Sequence, residues 1–179
     1  MNTVIKTFVS VLAMSALMGT VQASDDDKKN EQEFKVIFNA LNGSGVHGKA
    51  KLEIEDGRQL KIKMKVKGFE VGKPHPQHIH GKDAPFSNAT CPDSSADVDA
   101  DGLISVGEGL PFYGPIILPL VPFDTANESG NLNYKAEFTI NPDTIKDLDK
   151  RAIVLHGMTV NGTYIASLPV ACAQIERED

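Results

Sequence analysis

Between Lys49 and Lys67 polar and apolar residues alternate almost without interruption. Lys49-Ala50-Lys51-Leu52-Glu53-Ile54-Glu55 places polar residues at every odd position, and Leu60-Lys61-Ile62-Lys63-Met64-Lys65-Val66-Lys67 repeats the rule. A period of two sends all apolar side chains of a strand to one face, so the pattern predicts two strands, each with one wet face. Asp56-Gly57 between them is a tight turn, which makes the pair a hairpin. Phe34 to Leu41 predicts a first strand, turned into the second by Gly43-Ser44-Gly45. Tyr134, Ala136, Phe138 and Ile140 mark another alternating strand. Ala152 to His156 and Val170 to Ile175 are apolar runs of strand length, expected to be buried on both faces.

Helix signals are sparse. Asn141-Pro142-Asp143 predicts one or two turns reaching Leu148, with proline near the first position and Asp favouring the N-terminus. Gly81 to Leu132 is irregular and carries Pro111, Pro115, Pro119 and Pro122. Many short strands and one long connection predict an all-β fold, a Greek-key barrel or sandwich. The sequence shows no internal repeat and no domain boundary, so residues 34–179 are expected to form one domain.

The N-terminus changes the setting. Lys6 precedes an apolar stretch, Thr7 to Met18, and Val21-Gln22-Ala23 has the small-x-small form of a cleavage site. Residues 1–23 therefore read as a secretory signal peptide and 24–33 as a flexible, charged leader. The expected location is periplasmic or extracellular. Removing the signal leaves 17 basic against 24 acidic residues, a net charge of −7. Net charge of this sign supplies no general attraction to nucleic acid, nor to a membrane after signal cleavage. Cys91 and Cys172 are an even pair in an exported chain, which reads as one disulfide.

Asp97 to Glu108 fits the EF-hand calcium loop at each diagnostic position. Asp97, Asp99 and Asp101 offer carboxylate oxygens, Leu103 its main-chain carbonyl, Ser105 a direct or water-borne contact, and Glu108 two oxygens. Gly102 allows the sharp turn, and Ile104 is expected to point inward. Gly109-Leu110-Pro111 follows, so long flanking helices are not expected. The expectation is a lone calcium loop set into a β domain, where it orders a connection.

His75, His78 and His80 crowd together. On a strand His78 and His80 share a face, about 7 Å apart. His156, at the end of a buried run, is the candidate third ligand. Histidine-only sites suit copper or zinc, while a strand-end pair also occurs as hydrogen-bonded surface. His47 reads as an exposed loop residue.

With these motifs in view the chain resembles the Cu,Zn superoxide dismutases. Gly43 to Gly48, the hairpin, Lys67-Gly68-Phe69 and His75-Pro76-Gln77-His78-Ile79-His80 are similar to that family's first half. Ala152 to His156 and Leu168 to Cys172 are similar to its last two strands. The resemblance implies a Greek-key barrel, copper ligands at His78, His80 and His156, a supporting histidine at His75, and a Cys91–Cys172 disulfide. It also departs from the family: no histidine lies between His80 and His156, so the bridging ligand and zinc site are missing, and Pro169 occupies the position of the substrate-guiding arginine. The HIHG motif is similar to CHRD domains as well. Three functions follow as expectations: an exported metal-binding protein holding calcium and copper, a copper-only superoxide dismutase, or a non-catalytic CHRD-like binding module. No protein partner is indicated.

Overall fold

Each alternating segment becomes a strand with its apolar side turned inward. The computed structural model describes residues 31–82, 88–143 and 147–178. The expected signal peptide and residues 24–30 of the leader lie outside them. Strand β1 is Gln32–Ala40, starting two residues before the expected Phe34. Strands β2 (His47–Glu55) and β3 (Gln59–Lys67) form the expected hairpin, with Asp56 and Gly57 both at positive φ. Strand β4 is Gln77–His80, β5 is Ile116–Pro119, β6 is Leu132–Thr139, β7 is Ala152–Val160 and β8 is Thr163–Arg177.

All pairings between these strands are antiparallel and join them into one curled sheet in the order β5-β4-β7-β8-β1-β2-β3-β6. The chain crosses over from β3 to β4 and returns from β5 to β6, as Greek-key connections do. The sheet is all-β as expected. Among the described residues no ladder closes β5 onto β6, so it is a half-barrel and not a sealed one. Phe34, Leu52, Leu60, Ile62, Tyr134, Ile153 and Val170 share one core inside the curl.

A second, smaller core explains why β7 and β8 are apolar on both faces. Val154, Ala152 and Cys172 face away from the main core and are covered by Ala89, Ala96, Ile104 and Tyr113 of the long connection. That connection is more ordered than its prolines suggest. Helix α1, Val106–Tyr113, leaves the loop directly; it is eight residues long, a short helix where only long flanking helices were not expected. Ser105 caps it, accepting from the Glu108 N–H, and the Glu108 carboxylate accepts from the Ser105 N–H. This reciprocal pair offsets the bond lost at Pro111. Strand β5 was also not expected. It is an edge strand bounded by Pro115 and Pro119, where a missing donor faces no neighbour. Of the expected helix after Asn141, residues 144–146 lie outside the described part, and Leu148–Lys150 is a single 3-10 turn.

Candidate metal centres

His78 and His80 lie on β4 and His156 on β7, strands paired in register. Ladder irregularities at Ile79/His80 and on both sides of His156 re-aim these side chains. Gly157 makes the second irregularity possible. Its φ is +105°, and a Cβ there would meet the Tyr164 hydroxyl and lie 3.0 Å from His75 Nδ1. The result is that one ring nitrogen from each of His78, His80 and His156 falls within 4.8 Å of the others.

The chemistry of the rings follows from their partners. His80 Nδ1 lies 2.8 Å from the Gly114 carbonyl, and His156 Nδ1 lies 2.7 Å from that of Ser167. A carbonyl only accepts, so both Nδ1 atoms carry the proton and both Nε2 atoms hold lone pairs. His80 Nε2, His156 Nε2 and His78 Nδ1 are buried and have no hydrogen-bond partner. Burial, with a small contribution from His80, pushes the His78 pKa down to about 4. Burial pushes His156 down to about 3, although its bond to Ser167 opposes the shift, and burial also lowers His80. All three are neutral at pH 7. Three neutral imidazoles with unpaired nitrogens turned toward one point fit a borderline-soft cation.

His75 stands behind this group. It is fully buried, its Nε2 lies 2.9 Å from the Glu70 carbonyl and its Nδ1 lies 3.2 Å from the His156 carbonyl. Its ring stacks on Phe69 with centroids 4.1 Å apart. It thus props the main chain of His156 and does not join the triad. His47 is exposed as expected, although it begins β2 and is not in a loop.

In the calcium-type loop, carboxylate oxygens of Asp97, Asp99 and Glu108 lie within 4.8 Å of one another. Asp97 Oδ1 is buried without a partner, while its Oδ2 accepts from Gly102 N–H at 3.0 Å. Glu108 accepts from Val98 and Ser105 main-chain N–H groups, and the Ser105 bond holds its carboxyl below the ordinary range. Asp101 stands outside the cluster, its Oδ1 accepting from Leu103 N–H at 2.8 Å. Ser105 Oγ serves the helix cap. Gly102 has φ +86° and Ile104 is buried, both as expected. The arrangement offers oxygen donors only, which fits a hard divalent cation.

Cys91 and Cys172 form the expected disulfide, tying the start of this connection to β8. Several supporting residues carry no signal in the sequence. Asn42 clasps Ile104 through both its N–H and carbonyl and also donates to Pro169. Tyr113 packs edge-on to His80 at 4.7 Å, and Phe123 packs on His78 at 5.5 Å. The orienting carbonyls of Gly114 and Ser167 are main-chain groups, for which no residue type is diagnostic.

No protein-family model matches this chain, and no curated protein matches it. Among solved structures it is similar to superoxide dismutase 5 of Candida albicans. The copper(II) form is 15% identical, with 83% of this chain and 94% of that chain covered and a TM-score of 0.43. Two single-residue mutants of the same enzyme give 16% identity with 83% and 93% covered at TM-score 0.44, and 15% with 83% and 91% covered at 0.47.

Proposed function

We propose that this chain is an exported metal-binding protein that holds copper at His78, His80 and His156 and calcium in the Asp97–Glu108 loop. The observation that carries the copper reading is the set of three buried, partnerless imidazole nitrogens turned toward one another. A buried polar atom without a partner costs about 1–3 kcal/mol, and three in one place ask for a shared ligand. Copper there would supply one-electron redox chemistry. Calcium is supported by the loop's match to the twelve-residue pattern and by the unpartnered Asp97 oxygen. Its role is to hold the acidic connection that covers β7 and β8. Titration of the chelator-treated protein with Cu(II), followed by EPR, should give a nitrogen-rich spectrum that His80→Ala loses. A spectrum identical to copper in buffer removes the reading. For calcium, the melting temperature should rise on adding calcium and stop responding in Asp97→Ala/Glu108→Ala.

One observation favours a second reading, copper-only superoxide dismutation. His78 is only half-buried, so one ring of the triad borders solvent, although its Nδ1 is itself buried. Cytochrome reduction by superoxide, measured with the copper-loaded protein, tests this; inhibition no greater than that by free copper removes it. The CHRD-like module without metal leaves the three nitrogens unexplained.

A further inference from the structure

The outward face of β1, β2, β3 and β6 carries a charge pattern that the metal sites do not use. In register across those strands, Lys35, Lys51, Lys63 and Lys135 stand side by side. The next row along the strands holds Ile37, Lys49, Lys65 and Asn133, and Lys67 follows opposite His47. Rows of this kind space the main-chain positions from which the lysines project about 4.8 Å apart across the sheet and about 6.8 Å along it. Like charges in directly opposed positions destabilise a sheet. Most of the first row is neutralised within the chain: Lys35 pairs with Glu176, Lys51 with Glu33 and Glu53, and Lys63 with Glu53, while Lys61 beside it pairs with Glu55. The chain has 24 acidic residues to distribute, yet among the described residues none lies within ion-pair distance of Lys49, Lys65, Lys67 or Lys135. A net negative protein thus concentrates unneutralised cations in one place, which its overall charge conceals.

The place is also shaped. A groove of about 500 Å³ runs over these strands, lined by six lysines against one carboxylate, Glu178, with Ile37, 59% exposed, at its side. A concave groove takes a chain and cannot be covered by a planar bilayer. It offers no helix to enter a DNA groove, and the outward positions of these rows hold no Phe, Tyr or Trp on which bases could stack, His47 at their end being the one ring. Lysines bind as point charges and do not demand the planar, bidentate geometry that arginine reads.

We propose that this groove binds a linear acidic polysaccharide bearing sulfate or phosphate groups, with its anions on Lys49, Lys65 and Lys135, the lysines lining it that no carboxylate neutralises, and with Lys67 beyond them along β3. The site is separate from both metal centres, which lie on β4, β7 and the long connection.

The test is fluorescence anisotropy with a labelled heparin oligosaccharide as probe, at several ionic strengths, on the full chain. Binding should be present at low salt and fall steeply as salt rises. Lys49→Gln/Lys65→Gln/Lys135→Gln should weaken it by about tenfold or more and flatten the log–log salt slope by about 2, at roughly 0.7 per lost contact. Lys73→Gln/Lys150→Gln, off this face, should leave it unchanged. The triple variant should melt no lower than the parent, because opposed lysines are relieved of repulsion. No probe binding by the parent at low salt overturns the proposal, and so does a triple variant that binds as the parent does. Tighter binding of duplex DNA, or of anionic phospholipid vesicles, than of the oligosaccharide at equal salt also overturns it and gives the face to that partner.

Discussion

Replacing His78 with leucine should stabilise the metal-free protein while abolishing its response to copper. The ring makes no hydrogen bond among the described residues, and its buried Nδ1 is unpartnered. Leucine removes that acceptor and keeps an apolar body against Phe123, whose ring lies 5.5 Å from the imidazole. An unsatisfied buried acceptor costs about 1–3 kcal/mol; because His78 is only half-buried, about 1 kcal/mol is the appropriate end of that range. In a domain of this size that is a rise of about 2–4 °C. Copper at a hundred times its dissociation constant should stabilise the parent by about 2.7 kcal/mol, or about 5–10 °C, and the variant hardly at all. The two melting curves should therefore exchange order: variant above parent with chelator, parent above variant with copper. Scanning calorimetry at pH 7 in both conditions reads this directly. A metal-free variant that melts several degrees below the parent would refute the reasoning, since the imidazole would then be supporting the fold. So would a parent that copper does not shift.

Further outcomes follow from other parts of the molecule. In Cys91→Ala/Cys172→Ala, opening a link between residues 81 apart should lower the unfolding free energy by up to about 4.5 kcal/mol on the loop-entropy estimate; an unchanged urea midpoint refutes this. The metal-free protein should lose stability as pH falls. His156 and His78 have folded pKa values of about 3 and about 4, below the unfolded value of about 6.5, so the unfolded chain takes up protons first. Their contribution is complete above about pH 6.5 and is lost progressively down to pH 4–3, with His156 alone costing about 2 kcal/mol by pH 5. Urea midpoints that do not move between pH 7 and 5 contradict it. Gly114→Ala should weaken copper binding with all three ligands intact. Gly114 has φ +78°, and a Cβ would sit 2.5 Å from the Gly81 carbonyl oxygen, so the carbonyl that orients His80 must shift. Copper titration giving the parent's affinity would contradict this.

Strands were legible wherever one face is wet, because alternation encodes a half-buried surface. β2, β3 and β6 follow their pattern, and the doubly apolar runs of β7 and β8 were read as buried strands without showing what buries them. The His78–His80 pair was legible because strand geometry places alternate residues together, and His156 because its run ends at a histidine. Helix α1 was hidden for a physical reason. Ser105 and Glu108 read equally as positions of a cation loop and as a capping box, and Pro111 reads as a breaker unless the cap offsets it. β5 was hidden by prolines that an edge position tolerates. The lysine face escaped notice because net charge is a sum, while cross-strand register decides which charges are neighbours.

The acceptors that orient His80 and His156 are the main-chain carbonyls of Gly114 and Ser167. A side-chain acceptor can be deleted by one base change; a carbonyl belongs to whatever residue occupies the position. The ring settings are therefore inherited with the path of the chain and not with particular neighbours. Surrounding residues are free to drift over long evolutionary times while two of the three imidazoles keep their tautomer and direction. What such a lineage must preserve is the set of glycines and irregular ladder steps that hold the path.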